Sequence, residues 1–138
     1  MNEYTILFII VIPILVFALF ILLNQSKSSK GWKNEVKQRL AAIENNLKPE
    51  ATVDSLKSII IDTDKLFDYT LKMKGFKGET MGDRLKSAKE YFDKDMYNNI
   101  WEAHKLRNNL VHEFNYIPNF NEVKRHYSNF KKGLLSLI

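Results

Sequence analysis

The stretch Trp101-Glu102-Ala103-His104-Lys105-Leu106-Arg107-Asn108-Asn109-Leu110-Val111-His112-Glu113 decides how this chain is read. With its flanks it places Ile100, Trp101, Leu110, Val111 and Phe114 as apolar positions of one helix, started by Asp93 or Asp95. It also holds two of the chain's three histidines. His104 and His112 are eight residues apart and so fall near one helical face. Asn108 stands at i+4 from His104 and i−4 from His112, and Arg107 precedes it.

Outward from this helix the pattern stays helical. Asn119 with Glu122 makes a capping-box-like start for a last helix. The stripe of that helix is Val123, Tyr127, Phe130, Leu134 and Leu137. Upstream, Thr80 caps a third helix with Met81, Leu85, Ala88 and Phe92 on one side. A longer helix runs from Thr52, its N-cap, to the stop at Gly75, with Val53, Leu56, Ile59, Ile60, Leu66, Phe67 and Leu71 as its apolar positions. Before it, Trp32, Val36, Leu40, Ile43 and Leu47 recur at helical spacing until Lys48-Pro49 ends the run. No period-2 strand with hairpin punctuation stands out. The bundle is expected over residues 50–138.

The amino end differs in kind. Residues 6–23 read ILFIIVIPILVFALFILL, without a charge. Eighteen residues at about 1.5 Å rise reach about 27 Å, near the thickness of a bilayer core. The start Met1-Asn2-Glu3-Tyr4 lacks the basic region of a cleaved signal peptide. Lys27, Lys30, Lys33, Lys37 and Arg39 follow the run, and no basic residue precedes it. The positive-inside rule then puts the amino terminus outside and the remainder in the cytoplasm. The expected fold class is therefore all-α: an N-terminal single transmembrane helix, a helical neck and a four-helix bundle. The expected divisions are a transmembrane anchor over 1–25, a basic linker (25–31) and neck helix within 26–49, and the bundle over 50–138. The expected location is the cell membrane, single-pass, with the lipid bilayer as a partner.

Composition agrees with that split. The chain has 138 residues, 45% of them hydrophobic, yet its mean hydropathy is −0.29 because the apolar residues crowd the amino end. This excludes a polytopic membrane protein, a multidomain enzyme and a chain disordered throughout. The absence of cysteine excludes a disulfide scaffold, thiol catalysis and cysteine-ligated metal. The net charge of +5 is shared between orientation and any anionic partner.

No P-loop, dinucleotide fingerprint or HExxH motif is present. His104 and His112 lie about 12 Å apart along a helix, too far to share one ion, so neither metal nor cofactor is expected. Metal-free phosphodiester chemistry fits the residues better. Cleavage of RNA by its own 2′-hydroxyl needs a base, an acid and cationic donors for the phosphate. Histidine serves either proton role near neutral pH, and arginine offers a planar fork to phosphate oxygens. Arg107 and His112 are five residues apart, about 140° around the axis. Both can reach a groove at an interface, and a symmetric dimer brings the second histidine.

The hexad Arg107-Asn108-Asn109-Leu110-Val111-His112 resembles the R-x4–6-H motif of the HEPN superfamily, with a polar residue directly after the arginine. Asp62-Thr63-Asp64-Lys65-Leu66 and Gly78-Glu79-Thr80-Met81-Gly82-Asp83-Arg84-Leu85-Lys86 are likewise similar to bacterial HEPN-like proteins, several with an N-terminal membrane helix. The resemblance covers residues 50–138. It implies a homodimeric helical bundle with Arg107 and His112 at the dimer interface, acting as a metal-independent endoribonuclease on RNA. Antitoxins or other proteins are the implied partners. Arg107 then holds phosphate, Asn108 positions it and His112 acts as base or acid, with Asp64, Glu102 and His104 as accessory residues. The alternative is a non-catalytic interaction or scaffolding module at the membrane; a third reading is an adaptor recruited to lipid by the basic neck.

Blander expectations stand beside these. Asp62, Asp64 and Asp68 form a charged outer face with Lys65 and Lys72, unless Asp64 turns inward to meet Arg107. Trp101 and Phe114 belong to the core. His126 lies on a basic, solvated stretch.

Overall fold

A computed structural model describes the backbone of residues 3–113 and 115–138, and side chains for 8–22, 31–113 and 115–138. Its elements are α1 (Glu3–Glu44), α2 (Val53–Lys74), α3 (Met81–Ser87), a 3-10 turn (Lys89–Tyr91), α4 (Lys94–His112) and α5 (Phe120–Leu137). Among the described residues there is no strand, so the all-α expectation holds.

The chain divides into two compact units, Met1–Glu35 and Val36–Ile138. In the first, the large apolar side chains of residues 8–22 are exposed, Val11 least at 39% and Phe17 most at 64%. The expected membrane anchor is corrected here: among the described residues no helix is long and apolar enough to cross a membrane. The single-pass topology and the cell-membrane location with an outside amino terminus lose their basis with it. The stretch 25–31, expected as a linker, is helical and part of α1. The expected parts of Phe114 in the core and of Lys27 and Lys30 in orientation fall outside the described side chains.

The second unit is built on α2, α4 and α5. α5 packs along α2 and α4, and α3 lies on α2. α2, α3, α4 and α5 each begin where a side chain satisfies an orphan backbone N–H. Thr52 accepts from Ser55 N, Asp93 from Met96 N and Asn119 from Glu122 N. Thr80 and Asp83 form a reciprocal capping box at α3. α2 stops at Gly75, whose φ of 95° puts it in the left-handed region open to glycine. The expected stripe through Ala88 and Phe92 does bury, but α3 itself ends at Ser87. Asp93 needs extended backbone to cap α4, which ends the helical run before it.

The core centres on Phe67. Its ring lies 5.5 Å from that of Phe130 and 6.2 Å from that of Phe92, both tilted. Gly133 lets this cluster close, since a Cβ there would stand 2.7 Å from Phe67 Cε2 and 2.8 Å from Ile100 Cδ1. Val123, Tyr127, Phe130, Leu134 and Leu137, the expected stripe of α5, are all buried. Val123, Phe130, Leu134 and Leu137 each contribute about 1.5–3 kcal/mol of burial. Two buried hydroxyls on α2 stay satisfied within their own helix: Thr63 Oγ1 donates to Ile59 O and Thr70 Oγ1 to Leu66 O. Val111, expected as an apolar face residue of α4, is instead 48% exposed.

Candidate functional site

Two polar grooves flank α4. The first lies between α4, α2 and the start of α3. It encloses about 460 Å³ and is lined by Asp64, Lys65, Asp68, Thr80, Met81, His104, Arg107 and Asn108. Asp64 is its centre. At 3% exposure it is a buried carboxylate on α2, facing α4 rather than the solvent. The expected outer-face acidic cluster therefore splits. Asp62 stays outside within 3.9 Å of Lys65, and Asp64 turns inward. Asp68 turns to α3, where its carboxylate takes Arg84 Nε at 2.7 Å and Nη2 at 3.0 Å.

A buried carboxylate requires partners, and helical spacing on α4 supplies two. His104 Nδ1 lies 2.6 Å from Asp64 Oδ1. An ionised carboxylate only accepts, so the histidine donates through Nδ1 and Nε2 is the nitrogen left over. Three residues on, Arg107 Nε stands 3.4 Å from Asp64 Oδ2, an ion pair without hydrogen-bond geometry, and Nε has no other partner. Arg107 Nη1 donates to Asn108 Oδ1 at 3.0 Å. The imidazole is further held by the edge of Trp101, 5.7 Å between centroids. Gly82 of α3 faces this pair, and a Cβ there would meet Trp101 Cη2 at 3.2 Å.

The structure thus brings together Asp64, His104, Arg107 and Asn108. His112 and Glu102 stand apart from this cluster. His112 is the last residue of α4 and is exposed. Glu102 is exposed and accepts from Lys105 Nζ at 2.7 Å, which holds its carboxyl below the usual range. Among the described residues no group of three or more histidine or carboxylate side chains converges as a metal site would require.

The second groove runs between α4 and α5 and encloses about 470 Å³. Its α4 wall carries Asn99, Glu102, Lys105, Leu106 and Asn109. Facing them are Tyr116 and, on α5, Glu122, Arg125, His126 and Asn129. Tyr116 Oη donates to Glu122 Oε1 at 2.6 Å, and this bond pushes the phenol up to about 12. His126, expected on a solvated stretch, is buried at 8% exposure. Burial first, and the Arg125 charge second, push its imidazole down from the ordinary value. The sequence carried a signal for this. His126 stands three residues after Val123 and four before Phe130, on the buried stripe of α5.

No protein-family model, curated protein or solved structure matches the chain.

Proposed function

We propose that Val36–Ile138 is a HEPN-like helical domain that cleaves RNA without a metal, working as a homodimer. The observation that carries the reading is the pre-positioning of Arg107. Asp64 and Asn108 hold its guanidinium beside a polar groove, and His112 stands exposed on the same helix, one and a half turns further on. Held this way, Arg107 offers its remaining N–H groups to a phosphodiester and loses little side-chain freedom on binding. His112 takes the 2′-hydroxyl proton, and the 2′-oxygen attacks phosphorus. The 5′-oxygen leaves with a proton from the second His112 of the dimer, so a 2′,3′-cyclic phosphate and a 5′-hydroxyl result. His104, fixed by Asp64, is a positioning residue that keeps the carboxylate aligned with Arg107.

The test is incubation of the full chain with single-stranded RNA in the presence of EDTA. Cleavage that survives the chelator and falls by about 10²-fold or more in His112→Ala supports the reading. RNA left intact by the wild-type chain overturns it. The burial of Asp64 favours a second reading, a non-catalytic interaction module in which Asp64, His104 and Arg107 only tie α2 to α4. Under that reading Arg107→Ala lowers stability, and no variant alters RNA.

A further inference from the structure

His126 raises an accounting problem that the cleavage reading leaves open. Its Nε2 stands 3.2 Å from Arg125 Nη2. A guanidinium is donor-only, so Nε2 must accept and the proton of the neutral ring sits on Nδ1. Nδ1 is buried and has no hydrogen-bond partner. A buried donor left unpaired costs about 1–3 kcal/mol, and such groups are few in native proteins. This one belongs to a side chain in the wall of the α4–α5 groove.

The rest of the wall narrows what could enter. Two carboxylates, Glu102 and Glu122, face two cations, Lys105 and Arg125, so the groove is close to neutral and favours neither a free anion nor a free cation. Asn99, Asn109 and Asn129 line it with carboxamides, each pairing one acceptor with two donors. Leu106 is buried and adds an apolar surface. Tyr116 adds a ring whose hydroxyl is already committed to Glu122. The combination suits a flat, neutral group with alternating donors and acceptors on its rim. An unstacked nucleobase has that character, and proteins read such bases by carboxamide pairing and aromatic contact. About 470 Å³ is room for one base and its sugar.

We propose that the groove between α4 and α5 is a nucleobase pocket, in which a small turn of the His126 ring on binding uncovers its Nδ1–H to an acceptor of one unpaired RNA base, and the carboxamides of Asn109 and Asn129 read the edge of that base. The inference rests on the RNA reading and specifies it. Asn109 follows directly on Asn108, the residue that holds Arg107. One turn of α4 then carries the phosphate clamp on one flank and the base pocket on the other, and cleavage gains a base preference.

The experiment titrates the full chain with AMP, CMP, GMP and UMP, and with ribose 5-phosphate as the base-free control, by calorimetry. One mononucleotide is expected to bind at least about tenfold more tightly than ribose 5-phosphate. Asn109→Ala and Asn129→Ala are each expected to weaken it about tenfold or more while keeping the wild-type melting temperature. His126→Phe, a riskier core change, is interpreted only if it melts as the wild type does, and should also weaken binding. Nucleotide binding without RNA cleavage sinks the catalytic reading and keeps the pocket. Mononucleotides that bind no better than ribose 5-phosphate, or asparagine variants that bind as the wild type does, overturn the pocket even if RNA is cleaved.

Discussion

Asp64 shows how one residue links stability to the site. Its side chain is 4% exposed, and its two oxygens face His104 and Arg107. Removing one member of a buried ionic cluster costs more than the cluster's net contribution, because the others stay buried without a partner. Asp64→Ala is therefore expected to lower the unfolding free energy by about 3 kcal/mol in urea titration. Asp68→Ala should cost less, about 1 kcal/mol, because its carboxylate is 31% exposed and water takes up part of the loss. A second prediction at this scale concerns alkaline pH. Tyr116 is pushed up to about 12 by its bond to Glu122, and an unfolded tyrosine ionises near 10. The folded state thus holds its proton longer than the unfolded state does. Its contribution is complete below about pH 10 and is lost as the pH rises towards about 12. Thermal melts across that window should fall less steeply for Tyr116→Phe than for the wild type. A parallel decline in both chains would remove Tyr116 from the explanation. Asp64 was legible in the sequence only as a conditional partner of Arg107. A carboxylate flanked by Asp62 and Lys65 carries no local mark of which way it faces.

At the scale of the element, caps and stripes were the legible part. Thr52, Thr80 and Asn119 cap as their types and spacing announce, and Asp93 is the one of the pair Asp93 and Asp95 that caps α4, because each such bond lies within one turn of its own residue. The short α3 was less legible, since a stripe at helical spacing does not distinguish α-helix from a 3-10 turn that buries the same side chains. Gly133 on α5 was not legible at all as a packing residue. Its importance comes from Phe67 on α2 and Ile100 on α4, both distant in sequence. Gly133→Ala should destabilise by about 1–3 kcal/mol, read as a lowered midpoint in denaturant titration with an unchanged slope. Gly75→Ala should cost about 1 kcal/mol for a different reason, the left-handed backbone that it imposes on alanine. A midpoint unmoved by Gly133→Ala would show that the Phe67 cluster yields more readily than its packing suggests.

At the scale of the whole molecule, the core of Val36–Ile138 draws on α2, α4 and α5 together. A fragment of residues 36–138 is expected to unfold in one cooperative transition, with calorimetric and van't Hoff enthalpies in agreement. Two separate transitions would show that its helices do not share one core. The homodimer is tested at this scale too. Sedimentation of the full chain should give twice the 16.2 kDa of one chain, and a monomer that still cleaves RNA would dismiss the paired His112 mechanism.

The sequence by itself determined the helical class, the helix starts at Thr52, Thr80 and Asn119, the stop at Gly75 and the buried stripe of α5, and it narrowed the start of α4 to Asp93 or Asp95. These depend on bonds and periodicities that act within a few residues. It marked Arg107, Asn108 and His112 as neighbours along one helix for the same reason. Tertiary structure alone decided that Asp64 faces inward to His104 and Arg107, that His126 is buried beside a groove, and that Asn108 and Asn109 serve different flanks of α4. Those outcomes turn on which helix packs on which, and that choice is made by contacts between residues tens of positions apart.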